Sequence, residues 1–299
     1  MVTAFIEELL FAPRSFAQKA LVRLLAPLGK LVAFVQWRKL IAKTPIDLGI
    51  KVVSIGNLTL GGSGKTPLAA ALAEHFDKAA IVLRGYGRKT RGLIVADGAK
   101  TVGEVGDEAA LYRSLAPNAL VIVCEDRKAG VLRAKALGAK IVFLDDGFRH
   151  RDIKKFDVLI RPNPPPSNSR VLPAGCYRLP LKAYDLANRV VVEGEDFIRK
   201  CSVANATDRM VLVTAISRAQ RLDPFLPSEV IAKYHFRDHA VFDFRKLSEI
   251  MRQHNATSLL VTGKDLVKLE GCPIELSVLK LSPIVNATLL AALESYLRE

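Results

Sequence analysis

An apolar strand pattern at Val52-Val53-Ser54-Ile55 runs through Gly56 into Gly61-Gly62-Ser63-Gly64-Lys65-Thr66, and a helical pattern follows to about Phe76. No other stretch constrains the fold as strongly. Strand, glycine loop, Lys-Thr and helix in that order are what phosphate binding requires. Glycines let successive backbone N–H groups turn toward one point, and the helix N-terminus adds its partial positive charge. A lysine neutralises phosphate, and a threonine hydroxyl can ligate Mg²⁺. The stretch therefore predicts an ATP and Mg²⁺ site in which Gly61, Gly62, Ser63, Gly64, Lys65 and Thr66 surround the phosphates and Lys65 acts on the transferred group. The general pattern G-x-x-x-x-G-K-[ST] has glycine where this chain has Thr59, so Gly56, Gly61 and Gly62 must supply the flexibility.

Further short apolar runs follow at Ile81–Leu83, Leu120–Val123, Lys140–Leu144 and Asp157–Ile160, with a helical segment from Arg127 to Leu137. Continuous apolar strands separated by helices belong to parallel sheets covered on both faces. Pro162-Asn163-Pro164-Pro165-Pro166-Ser167 continues neither sheet nor helix and reads as a loop leaving the first domain. A second region contains Met210–Val213, Ser258–Val261 and a terminal helix around Ala287 to Leu297. The expected architecture is α/β: a P-loop NTPase-like, mostly parallel sheet with helices on both faces over residues 46–208, then a smaller α/β domain over 209–299.

The opening 45 residues differ from the rest, with seven Lys or Arg and no acid between Ala12 and Pro45. On a helix, Lys19, Arg23 and Lys30 fall within an arc of roughly 40°. Leu21, Leu24, Leu25, Leu28, Val32 and Val35 share the other face, with Trp37 at the end. This is a basic amphipathic helix, interrupted at Pro27. It suits lying on an anionic cytoplasmic leaflet, as a peripheral or monotopic segment, better than crossing it, because charges break every stretch of the roughly 20 residues a span needs. An ordinary surface helix docked on its own domain is the plainer alternative.

Ile141-Val142-Phe143-Leu144-Asp145-Asp146-Gly147 places two acids at a strand end, where α/β folds bind ligands. Alone, Asp-Asp-Gly reads as a turn. Downstream of a phosphate loop, one of the two, with Thr66, becomes a Mg²⁺ ligand. Arg84, Arg88 and Arg178 can clamp phosphate oxygens with a planar fork or simply be solvated charges. Asp107, by its sequence context Val105-Gly106-Asp107-Glu108-Ala109, reads as a helix cap.

Gly56-Asn57-Leu58-Thr59-Leu60-Gly61-Gly62-Ser63-Gly64-Lys65-Thr66-Pro67 resembles the phosphate loop of the tetraacyldisaccharide 4'-kinases, the lipid A kinases. Arg84–Arg88, Val105–Glu108, Asp145–His150, Leu172–Gly175, Asp238-His239 and Val261–Asp265 resemble further segments of that family in the same order. The resemblance implies transfer of the ATP γ-phosphate to the 4'-hydroxyl of a lipid-linked disaccharide 1-phosphate, at the cytoplasmic face of the bacterial inner membrane. It implies Asp107 as the base that takes the hydroxyl proton, with His239 as its partner. Two positions depart from the family pattern: Leu179 follows Arg178 where the family has glutamate, and Gly263 replaces the glutamate of a T-E-K-D element.

The net charge of +14 agrees with anionic partners. A membrane-recruited regulatory ATPase would share the loop and basic helix and need no acceptor base. A nucleic-acid-binding ATPase fits only the charge, since there is no recognisable nucleic-acid module or interleaved basic-aromatic platform. Neither nucleic acid nor an obligate protein partner is expected.

Overall fold

Continuous apolar runs become the inner strands of a sheet wherever helices can cover both faces. The computed structural model describes residues 2–216, 219–237, 240 and 242–299. Helices α1 (Val2–Phe11) and α2 (Phe16–Ile41) precede β1 (Lys51–Asn57), α3 (Lys65–His75), β2 (Ala79–Leu83), β3 (Ile94–Val95), α4 (Val102–Val105) and α5 (Asp107–Leu115). Then come β4 (Leu120–Val123), α6 (Arg127–Ala136), β5 (Ile141–Asp145), β6 (Phe156–Arg161) and β7 (Arg189–Val192). The remainder is β8 (Phe197–Ala204), β9 (Met210–Thr214), β10 (Val230–His235), α7 (Phe244–Gln253), β11 (Ser258–Thr262), α8 (Gly263–Leu266), β12 (Leu276–Val285) and α9 (Ala287–Arg298).

The first sheet has the order β3-β4-β2-β5-β1-β6-β7, parallel except for the short edge strand β3. The second has the order β10-β9-β11-β12-β8, with only β8 antiparallel. The α/β reading holds, but the boundary expected at 209 does not match the sheets. Strand β8, upstream of it, pairs along its length with β12. Helix α9, at the far end of the chain, buries Leu289 and Leu293 in the core of the first sheet, and its Tyr296 ring lies against Phe156. An apolar helix face goes where it removes most surface from water, whichever segment of chain it follows.

The N-terminal region is helical and divided in two. Ala12-Pro13-Arg14 separates α1 from α2, and a capping box starts α2: Ser15 Oγ accepts from the Gln18 amide, and the Gln18 side chain accepts from the Ser15 amide. A Cβ at Gly29 would come within 2.8 Å of the Val171 carbonyl oxygen, so glycine permits the close seat of α2 on the following loop. Val22 and Leu40 are buried, and Val32, Ala33 and Trp37 pack on a core with Leu58, Phe148 and Tyr177. Phe16, Leu24, Leu31 and Phe34 instead remain 85, 76, 59 and 63% exposed.

Candidate functional site

The parallel register pairs Ile55 of β1 with Asp145 of β5, so the phosphate-loop strand and the acidic strand end share one sheet edge. The Asp146 amide donates to the Ile55 carbonyl at 2.9 Å, which ties the acidic turn to β1. The loop then reaches α3 with Gly61 and Gly64 at φ of 84° and 80°, a region open to glycine without steric cost. Thr59 needs no such freedom. It forms an antiparallel bridge with Tyr177, and its carbonyl and hydroxyl oxygens accept from Asn57 Nδ2 at 3.0 and 3.2 Å. The loop's first half is thus extended and pinned to Cys176–Arg178, which explains a threonine where the general pattern has glycine.

That pinning also carries Arg178 into the site. Its amide donates to the Leu58 carbonyl, and its guanidinium lies 2.9 Å from Asp146 Oδ2. Lys65 Nζ donates to Asn57 Oδ1 at 2.9 Å and lies 3.9 Å from Asp146 Oδ1. Asp146, with φ of 52°, therefore faces two cations. Asp145 is different: its side chain is buried, and Oδ1 has no hydrogen-bond partner. Burial, then the Glu108 charge, pushes its pKa up to about 7 against the pull of Lys65. Nearby, the buried Tyr112 hydroxyl lies beside Thr66 and Asp145 without a hydrogen bond of normal geometry, and burial with those carboxylates keeps it a neutral phenol. Ser63 Oγ is a third buried oxygen without a partner.

Asp145 makes a sign-specific prediction. An aspartate whose folded pKa exceeds its unfolded value destabilises the fold once the unfolded carboxyl ionises, and fully so above the folded pKa. In Mg²⁺-free buffer, Asp145→Asn should melt above wild type at pH 8. The gap should narrow as pH falls through about 7 and vanish near the ordinary carboxylate range, about 4. A gap independent of pH would mean that Asp145 ionisation is not its source.

One cleft of about 1230 Å³ lies between the two sheets. Gly61 through Thr66, Arg84, Asp145, Asp146 and Arg178 all border it. Arg88 does not. Its side chain is buried, with Nη2 donating to Glu125 and the Gly92 carbonyl and so holding the loop after β2, while Nε and Nη1 are buried without a partner. Asp107 begins α5 beside the cleft, with its Oδ2 3.3 Å from Lys268 Nζ. Asp238 and His239 lie outside the described residues.

The sequence reading did not single out Arg127, although it opens α6 directly after the buried strand β4, the position where α/β folds present ligand-binding groups. It is 5% exposed, gives one hydrogen bond to the Cys124 carbonyl and leaves Nε buried without a partner on the cleft wall. Lys39, Lys43, Arg199, Lys264 and Lys280 also border the cleft, so positive charge comes from both sheets and from α2. His150 there is held neutral, its pKa lowered to about 4 by burial and by Arg127.

The two departures at Leu179 and Gly263 have packing explanations. Leu179 is 2% exposed among Leu58, Phe148 and Val171, an apolar seat unsuited to a carboxylate. A Cβ at Gly263 would meet Leu111 Cδ1 at 3.3 Å, so glycine lets α8 lie close on α5.

Comparison with known proteins gives a consistent picture. The family model described as tetraacyldisaccharide-1-P 4'-kinase matches residues 21–221. A tetraacyldisaccharide 4'-kinase of Helicobacter pylori J99 is 43% identical over 98% of this chain and 95% of its own length. One of Campylobacter jejuni 81-176 is 38% identical over 99 and 96%. The solved structure of an LpxK from Aquifex aeolicus in complex with ATP superposes with a TM-score of 0.74 at 24% identity, covering 93% of this chain and 99% of that one.

Proposed function

The chain belongs to the tetraacyldisaccharide 4'-kinase family, and from that premise we propose that it transfers the γ-phosphate of ATP to the 4'-hydroxyl of a lipid-linked disaccharide 1-phosphate, a step of lipid A biosynthesis. The observation that carries this reading is the convergence of Lys65, Thr66, Asp145, Asp146 and Arg178 on one cleft edge. Phosphoryl transfer depends mainly on positioning and charge neutralisation, and this edge supplies both. Backbone amides of Gly61–Thr66 and Lys65 hold the β- and γ-phosphates. Arg178 and Arg84 neutralise phosphate oxygens, while Arg88 supports the loop that carries Arg84.

The oxygen donors also suit Mg²⁺. Asp145 Oδ1 and Ser63 Oγ are buried without partners near Thr66, and hard oxygens are this ion's preferred ligands. Thr66 and Asp145 would hold it, and it would offset charge on the β- and γ-phosphate oxygens. Asp146, already between Lys65 and Arg178, orders those two cations rather than the metal. Asp107 takes the proton of the attacking hydroxyl, with His239 as the partner that the family pattern assigns.

The acceptor is a lipid, and α2 has a surface for its membrane. By length and composition this helix could also cross a bilayer, having 26 residues and a mean hydropathy of 1.4 in its most apolar window, of which 11% is buried. Its exposed Phe16, Leu24, Leu31 and Phe34, with Arg23 and Lys30 on the same helix, are read here as lying in the cytoplasmic leaflet. Introducing Leu24→Glu together with Phe34→Glu should lower partitioning onto anionic vesicles by about tenfold or more, since each fully buried apolar side chain is worth ~1.5–3 kcal/mol. ATP affinity in detergent should not change. Unaltered sedimentation with vesicles would remove α2 from the membrane contact.

The function is tested by acceptor dependence. ADP formation should be slow with Mg²⁺-ATP alone and rise when the lipid disaccharide 1-phosphate is added in detergent. Rapid turnover without acceptor would favour the regulatory-ATPase reading.

A further inference from the structure

Asp107 must present a carboxylate to the cleft, yet it sits at the first turn of a helix on the first sheet, and its charge partner comes from the second sheet. Lys268 follows α8, and its amide donates to the Asp265 carbonyl at 3.0 Å. Asp265 is itself wholly buried and anchored three times: Thr214 Oγ1 and Thr262 Oγ1 donate to Oδ2 at 2.6 Å each, and the Ala215 amide donates to Oδ1 at 2.9 Å. This fixes α8 to β9 and β11. On its other side α8 lies close against α5 at Gly263 and Leu111. The platform carrying Lys268 is therefore rigid and docked on the helix that Asp107 begins.

The Lys268 side chain is 8% exposed, and its ammonium is buried without a hydrogen bond of normal geometry. A buried ammonium needs a compensating charge, and among the described residues Asp107, at 3.3 Å, is the carboxylate that supplies it. With Oδ2 turned to Lys268, rotation of the Asp107 carboxylate is restricted.

We propose that Lys268 is a positioning residue for phosphoryl transfer, holding the Asp107 carboxylate of the first sheet in its proton-accepting orientation from the second sheet. The pair makes the base dependent on how the two sheets dock. The proposal rests on Asp107 being the base.

Kinetics of Lys268→Met, Lys268→Gln, Lys268→Arg, Asp107→Asn and the double variant Asp107→Asn/Lys268→Met test it, with melting curves to identify folded proteins. Removing the charge should lower kcat by about tenfold with KM for ATP unchanged, and Lys268→Arg should recover most of it. In the Asp107→Asn background, Lys268→Met should change kcat by less than about twofold, because its effect passes through a group already removed. Two uncharged variants are included so that one folding failure leaves the test intact. Wild-type kcat in a folded uncharged variant overturns the proposal, as does a full loss repeated in the Asp107→Asn background. Wild-type kcat in Asp107→Asn alone is a separate failure, of the base assignment beneath it.

Discussion

Lys65→Ala should abolish detectable phosphoryl transfer, with kcat down by about 10²–10³-fold or more, the scale set by removing one preorganised charge-stabilising donor. The reason lies in the geometry. Lys65 Nζ is held by Asn57 Oδ1 at 2.9 Å at the mouth of the loop, beside the glycines that border the same cleft. Its loss leaves the phosphate charge to Arg84, Arg178 and the loop amides. The fold should survive, because Lys65 gives a single hydrogen bond and Asp146 keeps its contact with Arg178. A melting temperature within a few degrees of wild type, beside absent turnover, is the expected pair of results. Substantial retained activity would contradict the phosphate-loop assignment.

Asp107→Asn should lower kcat by about 10²–10⁴-fold while leaving KM for ATP nearly unchanged, the signature of a lost general base. The competing reading from sequence was a helix cap. In the structure Gly106, with φ of 90°, holds the cap position, and Asp107 is the first residue of α5. Its carboxylate favours the helix dipole, a contribution of about 0.3–1 kcal/mol, and pairs with Lys268. A variant that lost only stability, with kcat intact, would return Asp107 to a structural role. The kcat and melting measurements separate the two.

The first sheet was legible because its inner strands are apolar on both faces: Val52, Ile55, Ile81, Val82, Ile122 and Val142 are all buried. Strands β8, β10 and β12 were not, because they lie partly open to solvent. β8 carries Arg199, Lys200 and Ser202, β10 alternates in exposure, and β12 contains Pro283. Each lacks the continuous apolar run that marks an inner strand. The acidic strand end and the loop could be located from local pattern, but the difference between Asp145 and Asp146 could not. It arises from the left-handed turn at Asp146 and from Arg178, which another segment brings in through the Thr59–Tyr177 bridge. The return of α9 to the first core and the meeting of Asp107 with Lys268 are likewise non-local. No periodicity in either segment encodes its partner.

The most direct measurement is incubation of the purified protein with γ-labelled ATP, Mg²⁺ and lipid disaccharide 1-phosphate in detergent, following the label into lipid by thin-layer chromatography. Label should appear in the lipid with wild type and be absent with Lys65→Ala. ATP binding without any transfer of label to the lipid would contradict the kinase assignment and point to a membrane-recruited ATPase.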